Sequence, residues 1–171
     1  TLAKNLNLID KRLKVFECSF GDALKRAVAD EYEFDVALCY SQEGKNTVPN
    51  EKCNNKTVGQ LLQQFGTMKR ESNENVWVEA VQEFIAERST DDYKNMLAKE
   101  GFDKIMFIVP DVRFPNETAW INNDGGVLIR LDGDPKGVFD ATTRDKNHIS
   151  ETALDDYKDF DLIIDTNVNN E

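Results

Sequence analysis

Four short stretches rich in apolar residues alternate with longer segments in which apolar residues follow a helical spacing. The short stretches are residues 15–20, 105–109, 127–131 and 162–164. Their length predicts β-strands, and the run at 105–109 is typical of a parallel strand that is buried on both faces. Strands that alternate with helices predict an α/β fold with a parallel sheet and right-handed crossovers.

The residue pattern also predicts where several helices begin and which of their faces are buried. One helix begins near Phe20 and carries apolar residues at the spacing of a buried face. Thr57 and Gln60 form a capping box that begins another helix, which Gly66 is expected to end. The buried face of the next helix is formed by Trp77, Val81, Phe84 and Ile85.

Two long polar segments interrupt this pattern. Residues 41–56 contain glycine, proline and several asparagines, and they are expected to form an insertion or a mobile loop. Residues 132–150 have no apolar periodicity, and loops of that length are uncommon unless they act on a ligand or are disordered. We predict that 132–150 is a lid and that residues 1–171 form a single domain.

The composition narrows the classes of function. Charged residues make up 31% of the chain and the formal net charge is −11, so a nucleic-acid partner, which needs clustered Lys and Arg, is not expected. A few local arginines can still hold a nucleotide. No apolar run is long enough to span a membrane, and the three cysteines lack the spacing of a metal or disulfide framework. These features predict a cytoplasmic protein, or one of the host cytoplasm if the source is viral, with no membrane partner.

The stretch from the third apolar run into the next helix carries the clearest candidate chemistry. After residues 105–109, Pro110 stops the strand, Asp111 and Arg113 follow, and a short helix is predicted over residues 117–122. Open α/β sheets bind ligands beyond the carboxyl ends of their strands. A carboxylate and a guanidinium there suit Mg²⁺ and a phosphate group. The alternative is a surface ion pair that caps a helix.

Three further arginines and one tryptophan are candidate ligand-binding residues. Arg130 ends the next strand, Arg144 lies in the predicted lid, and Arg70 follows the Gly66 position. Each arginine alone is typical of a surface salt bridge, but their shared placement at strand ends and in the lid favours phosphate binding, which phosphoryl transfer requires. Trp77 could stack on a base, although its helical spacing favours a place in the core.

Five stretches, taken together and in order, carry a family resemblance. They are Ser-Phe-Gly-Asp-Ala-Leu-Lys at 19–25, Leu-Leu-Gln-Gln-Phe-Gly-Thr at 61–67, Asp-Val-Arg-Phe-Pro-Asn-Glu at 111–117, Gly-Val-Leu-Ile-Arg at 126–130 and His-Ile-Ser-Glu at 148–151. Arg70 and Trp77 follow the second stretch. With these motifs the chain resembles the deoxynucleoside monophosphate kinases of the P-loop nucleoside-kinase superfamily, as found in bacteriophages and related viruses.

The resemblance implies a fold, a reaction and a set of roles. The fold would be a three-layer α/β/α nucleotide kinase, and the reaction the transfer of the γ-phosphoryl group of ATP, with Mg²⁺, to a deoxynucleoside monophosphate. Arg70 and Arg113 would hold the acceptor phosphate, Asp111 would attend Mg²⁺, and Arg144 would act from the lid. Trp77 would flank the acceptor base. Partners would be small-molecule nucleotides, and a homodimer is compatible with this reading.

One departure from the family concerns the donor site. The family opens with a strand and a glycine-rich P-loop that holds the donor phosphates, whereas Gly44-Lys45-Asn46-Thr47 imitates only the tail of such a loop. Thr1 falls where the hydroxyl residue that closes the loop, and contacts ATP and Mg²⁺, would sit. The first strand and the P-loop are therefore expected upstream of Thr1, with that strand at the centre of the sheet. Residues 1–171 alone are then expected to be poorly stable or inactive.

Two other functions fit the same residues. A different small-molecule kinase of this superfamily would keep Asp111, Arg113 and the lid but would need no base pocket. A degenerate, non-catalytic nucleotide-binding protein would keep the fold without turnover. Acceptor preference separates the first from a nucleotide kinase, and the effect of Arg113→Ala separates the second.

Overall fold

The computed structural model describes residues 2–133 and 149–167, which form helices and parallel strands. The chain divides into two compact units, Thr1–Asp111 and Val112–Glu171. The predicted α/β class is confirmed. Residues 134–148, which make up most of the predicted lid and include Arg144, lie outside the described residues, as does Thr1.

The first unit contains two strands among six helices. Its elements are α1 (Leu2–Ile9), β1 (Leu13–Glu17), α2 (Phe20–Tyr32), α3 (Gln42–Lys45), α4 (Val58–Ser72), α5 (Val76–Arg88), α6 (Asp91–Lys99) and β2 (Lys104–Ile108), with two 3₁₀ helices at Val36–Tyr40 and Glu51–Cys53. The second unit contains α7 (Pro115–Asn123), β3 (Ile129–Asp132), α8 (Ile149–Thr152) and β4 (Leu162–Asp165).

All four predicted strands are present, with ends shifted by at most three residues. β1 pairs in parallel with β2, and β3 pairs in parallel with β4. Within the described residues the strands therefore form two pairs rather than one continuous sheet. β1 stops at Glu17 because Ser19 is already the N-cap of α2, where its side chain accepts a hydrogen bond from the Asp22 backbone N–H.

The prediction that the 105–109 strand is buried on both faces is wrong. Phe107 stacks on Phe16 of β1 at 5.6 Å between ring centroids, and Phe84 of α5 and Tyr93 of α6 pack on this aromatic pair. The opposite face of the strand carries Met106, which is 40% exposed. Among residues 2–133 and 149–167, helices α5 and α6 cover the face that carries Phe107, and Met106 on the opposite face stays exposed.

The core of the first unit lies where α2 packs between α4 and α5. Its fully buried side chains include Val28 of α2, Leu61 of α4 and Val81 of α5. The Thr57–Gln60 capping box at the start of α4 is confirmed. Helix α4 does not end at Gly66 as expected but continues to Ser72.

Gly66 serves close helix packing instead of helix termination. A Cβ at this position would lie 3.2 Å from Leu24 Cδ2, so the missing side chain lets α4 approach α2 closely. The sequence signal for a C-terminal glycine is the same as the signal for a packing glycine, because both depend on an absent side chain.

Two other segments differ from the sequence expectations. Residues 41–56, expected to form an insertion or a mobile loop, contain the short helix α3 and the 3₁₀ helix Glu51–Cys53, and Cys53 is fully buried. Helix α6 was not anticipated, although Thr90 caps it by accepting a hydrogen bond from the Tyr93 N–H. Among residues 2–133 and 149–167, no helix combines the length and apolarity that a membrane span requires.

Candidate functional site

Asp111 is held at the N-terminus of α2 by three hydrogen bonds. Its Oδ2 accepts from Ser19 Oγ at 2.6 Å and from the Gly21 backbone N–H at 2.7 Å, and its Oδ1 accepts from the Phe20 N–H at 3.1 Å. The positive end of a helix dipole favours a carboxylate at this position. We call Asp111 and residues 19–21 the Asp111 clasp.

The clasp depends on parallel strand pairing and on a glycine. Glu17 is paired in register with Ile108, so the chain leaves β1 and β2 at the same edge of the sheet and brings Ser19 to Asp111. A Cβ at Gly21 would lie 3.0 Å from Asp111 Oδ2, so a larger residue there would push the carboxylate back by a few tenths of an ångström. Ser19 and Gly21 belong to a motif that the sequence showed, but their contact with Asp111 could not be read from it.

The contacts of Asp111 limit how it can meet a metal ion. Oδ2 already accepts two hydrogen bonds, whereas Oδ1 accepts one and retains a further lone pair. That arrangement fits a hydrogen bond from a metal-bound water better than direct coordination. Mg²⁺ usually keeps several waters and takes only one or two protein carboxylates beside substrate phosphates. No group of three or more His, Cys, Asp or Glu in the described parts of the chain could hold a metal ion by itself.

Arg113, in the second unit, has its backbone anchored by a buried carboxylate. Glu117 is 1% exposed, and its Oε2 accepts hydrogen bonds from the Arg113 N–H at 2.7 Å and the Phe114 N–H at 3.1 Å. Pro115 is the first residue of α7, where its missing N–H costs nothing. Glu117 thus positions the backbone that presents Arg113. The sequence did contain a signal for this role of Glu117, because a glutamate at the third position of a helix commonly bonds back to the backbone just before the helix.

Arg130 is engaged within the second unit. Its Nε donates to Asp132 Oδ1 at 2.5 Å, and its guanidinium lies 5.5 Å from the centre of the Phe160 ring. This is the salt-bridge alternative that the sequence left open. Only the Nε–H of the guanidinium is committed to Asp132, and substrate binding by Arg130 stays a prediction.

Arg70 and Trp77 occupy neighbouring helices of the first unit. Arg70 is half-buried in the last turn of α4, one turn after Gly66, which faces α2. Trp77 is 4% exposed in the core, and its indole N–H has no hydrogen-bond partner among the described residues. This burial favours the core alternative for Trp77, and its role beside a base stays a prediction.

The structure groups the candidates by unit. Asp111, Arg70 and Trp77 belong to the first unit, and Arg113 and Arg130 belong to the second. Arg144 and Thr1 lie outside the described residues. The ligand roles assigned to all these residues remain predictions.

Cys18, at the carboxyl end of β1, is a buried thiol. It is 5% exposed. Burial raises the pKa of Cys18 to about 11, the negative charge of Asp111 adds to the rise, and Arg88 partly offsets it. A thiol that stays protonated at neutral pH behaves as a small apolar group.

Comparison with known proteins yields one informative similarity. No protein-family model matches the chain. A protein of Acanthamoeba polyphaga mimivirus named "Putative deoxynucleotide monophosphate kinase" is 27% identical over 161 residues, which cover 94% of this chain and 79% of that protein. A match of that extent includes residues of both compact units. The chain is therefore similar, along nearly all its length, to a viral protein that is named as a nucleotide kinase.

Proposed function

We propose that this protein is a nucleotide kinase that transfers the γ-phosphoryl group of ATP to a deoxynucleoside monophosphate. The observation that carries the proposal is the similarity to the mimivirus protein along 94% of the chain. The Asp111 clasp supports it, because a fixed carboxylate at the carboxyl end of a parallel strand lies where α/β proteins bind ligands.

Phosphoryl transfer depends mainly on the positioning of the reactants and on positive charge near the phosphates, and each candidate residue has one of these roles in the proposal. Arg70 and Arg113 hold the phosphate of the acceptor, and Glu117 keeps the Arg113 backbone in place. Asp111 would help to hold Mg²⁺, and the free lone pair of its Oδ1 is the acceptor available for that role. When bound with ATP, Mg²⁺ supplies positive charge against the transferring phosphoryl group.

Residues at the edge of the proposed site complete the assignment. Arg144, in the predicted lid, closes over the phosphates together with Arg130, and Thr1 contacts the donor phosphates and Mg²⁺. Trp77 remains the proposed neighbour of the acceptor base. The proposed substrates are small-molecule nucleotides. The proposed location is the cytoplasm, or the host cytoplasm if the source is viral, and the proposal is compatible with a homodimer.

A steady-state assay tests the proposal. The protein, expressed from its complete coding sequence, is incubated with ATP and Mg²⁺ and with deoxynucleoside monophosphates, ribonucleoside monophosphates or simple phosphate monoesters. Deoxynucleotides are expected to be the preferred acceptors. Preference for an acceptor without a base would identify a different small-molecule kinase, and nucleotide binding without turnover would identify a non-catalytic protein.

Arg113→Ala is the decisive variant. Loss of one preorganised positive charge at a transferring phosphoryl group is expected to lower kcat by about a hundredfold or more. Arg12→Ala is the matched control, because Arg12 is an exposed arginine paired with Asp103 before β1 begins. Equal turnover of Arg113→Ala and Arg12→Ala would contradict the role given to Arg113.

A further inference from the structure

The hydroxyl group of Ser19 makes two hydrogen bonds that serve different purposes. Its oxygen accepts from the Asp22 backbone N–H at 3.2 Å, which caps α2, and its proton is donated to Asp111 Oδ2 at 2.6 Å. Capping uses only a lone pair of the hydroxyl oxygen and leaves the proton available for another partner. The bond to Asp111 is therefore a second and separate use of the side chain.

Ser41 shows that a serine of this chain can cap a helix without contacting a carboxylate. It is the N-cap of α3, where its Oγ accepts from the Gly44 N–H at 2.9 Å. The Ser41 hydroxyl makes no other hydrogen bond with residues 2–133 or 149–167. The contact between Ser19 and Asp111 is thus not a by-product of helix capping.

The bond from Ser19 decides which oxygen of Asp111 keeps a free acceptor position. Each oxygen of a carboxylate can accept about two hydrogen bonds. Oδ2 is filled by Ser19 Oγ and by the Gly21 N–H at 2.7 Å, whereas Oδ1 accepts one bond, from the Phe20 N–H at 3.1 Å. Without the hydroxyl, each oxygen would accept one backbone bond and keep one free lone pair. Ser19 thereby makes the two oxygens of Asp111 unequal.

The same bond also restricts the orientation of the carboxylate. A short hydrogen bond from a hydroxyl group to an ionised carboxylate is roughly twice as strong as a bond between neutral groups. Both partners are partly buried, so water competes with this bond less than it would at an exposed site. The Asp111 side chain is therefore already held in one orientation before a ligand binds.

We propose that Ser19 is a positioning residue for the metal, because its bond to Asp111 leaves Oδ1 as the single acceptor presented to Mg²⁺ or to a water of Mg²⁺. The inference rests on the proposed function, since it concerns the Mg²⁺ that accompanies ATP. Ser19 acts through Asp111 and touches neither the metal nor the nucleotide. Residues that orient a metal-contacting group in this way commonly change metal affinity or activity by about 10–100-fold.

The dependence of turnover on free Mg²⁺ tests the inference. The protein is expressed from its complete coding sequence and assayed at saturating ATP and acceptor. Ser19→Ala is expected to raise the free Mg²⁺ concentration for half-maximal turnover by about tenfold. Turnover at saturating Mg²⁺ is expected to change much less, because Asp111 is still present. A merely structural effect would lower turnover at every Mg²⁺ concentration and leave the half-maximal concentration unchanged.

Three control variants separate the hydrogen bond to Asp111 from helix capping. Ser19→Thr keeps the hydroxyl and is expected to restore the wild-type Mg²⁺ dependence, whereas Ser19→Gly keeps most of the capping preference without the hydroxyl and is expected to behave like Ser19→Ala. Ser41→Ala removes a capping serine that has no bond to a carboxylate, and its Mg²⁺ dependence is expected to stay within about twofold of the wild type. The same Mg²⁺ dependence in Ser19→Ala, Ser19→Gly and Ser41→Ala, with turnover retained, would overturn the inference and leave the proposed function intact.

A double variant tests whether Ser19 acts through Asp111. If it does, adding Ser19→Ala to Asp111→Ala is expected to raise the half-maximal Mg²⁺ concentration no further, because the group that Ser19 positions is already gone. Additive effects of the two substitutions would contradict a positioning role.

A binding measurement distinguishes failure of the inference from failure of the proposed function. If no acceptor is phosphorylated, the kinase proposal fails, and calorimetric titration with ATP, in Mg²⁺ and in EDTA, then tests Ser19. Tighter ATP binding in Mg²⁺ than in EDTA, with a ratio that Ser19→Ala lowers and Ser41→Ala does not, would uphold the inference. The same ratio in the wild type and in Ser19→Ala, or no effect of Mg²⁺ on the wild type, would overturn it.

Discussion

Removal of the Asp111 carboxylate is expected to destabilise the first unit by about 2–4 kcal/mol. The carboxylate accepts hydrogen bonds from Ser19 Oγ at 2.6 Å and from the Gly21 and Phe20 N–H groups at 2.7 and 3.1 Å. Each hydrogen bond to a charged group contributes about 1.5–3 kcal/mol, and a charge at a helix N-terminus adds about 0.3–1 kcal/mol. Asp111 is only partly buried, so water takes over most of the three bonds in the variant and the expected net loss is that of about one bond and the helix-end charge. Ser19 still caps α2 through the Asp22 N–H, so the helix is weakened rather than lost.

Urea denaturation at pH 7, followed by tryptophan fluorescence, measures this loss. A Trp120→Phe background leaves Trp77 as the reporter, and Trp77 lies in the core of the unit that contains the clasp. The expected result for Asp111→Ala is a lower midpoint with an unchanged slope, because the surface exposed on unfolding stays the same. The midpoint of Asp111→Asn is expected to lie between those of the wild type and Asp111→Ala. Its amide oxygen can still accept hydrogen bonds, but its NH₂ group faces a donor that the second carboxylate oxygen would have satisfied.

Asp103→Ala provides the matched control for the clasp. Asp103 is 52% exposed and makes a single ion pair with Arg12 at 2.9 Å, so its loss is expected to change stability by about 0.5 kcal/mol or less. If Asp111→Ala is no more destabilising than Asp103→Ala, the three hydrogen bonds do not stabilise the start of α2, and the structural reasoning fails. If Asp111→Ala keeps its stability but loses Mg²⁺-dependent turnover, Asp111 has a role in the reaction and none in stabilising the fold.

Two further outcomes follow from buried groups of the first unit. Because burial raises the pKa of Cys18 to about 11, against 9.0 for a free thiol, its stabilising contribution is complete below pH 9 and is lost as the pH rises through 11. The urea stability of the wild type should therefore fall more steeply from pH 8 to 10.5 than that of Cys18→Ala, and equal slopes would contradict this. Trp77→Phe removes an indole N–H that has no hydrogen-bond partner among the described residues, so it is expected to cost about 1 kcal/mol or less, whereas Trp77→Ala is expected to cost about 3–5 kcal/mol. A large loss in Trp77→Phe, measured by thermal denaturation, would show that the N–H is bonded after all.

Local patterns in the sequence were sufficient for most of the elements. The strand positions follow from short apolar runs, and the start of α4 follows from Thr57 and Gln60, because the capping box is built from residues three positions apart. The end of α4 and the role of Gly66 were predicted incorrectly. Whether a glycine ends a helix or lets another helix approach depends on Leu24, about forty positions away in the chain.

The candidate site shows the same division between sequence and tertiary structure. The sequence by itself determined that Asp111 and Arg113 follow a strand and precede a helix, because chain order and residue type are local properties. Only the tertiary structure decided that the Asp111 carboxylate is bonded to Ser19 and Gly21, which lie about ninety positions earlier. The parallel pairing of β1 with β2 brings both strand ends to one edge of the sheet, and such pairing is a long-range contact that no local pattern of residues specifies.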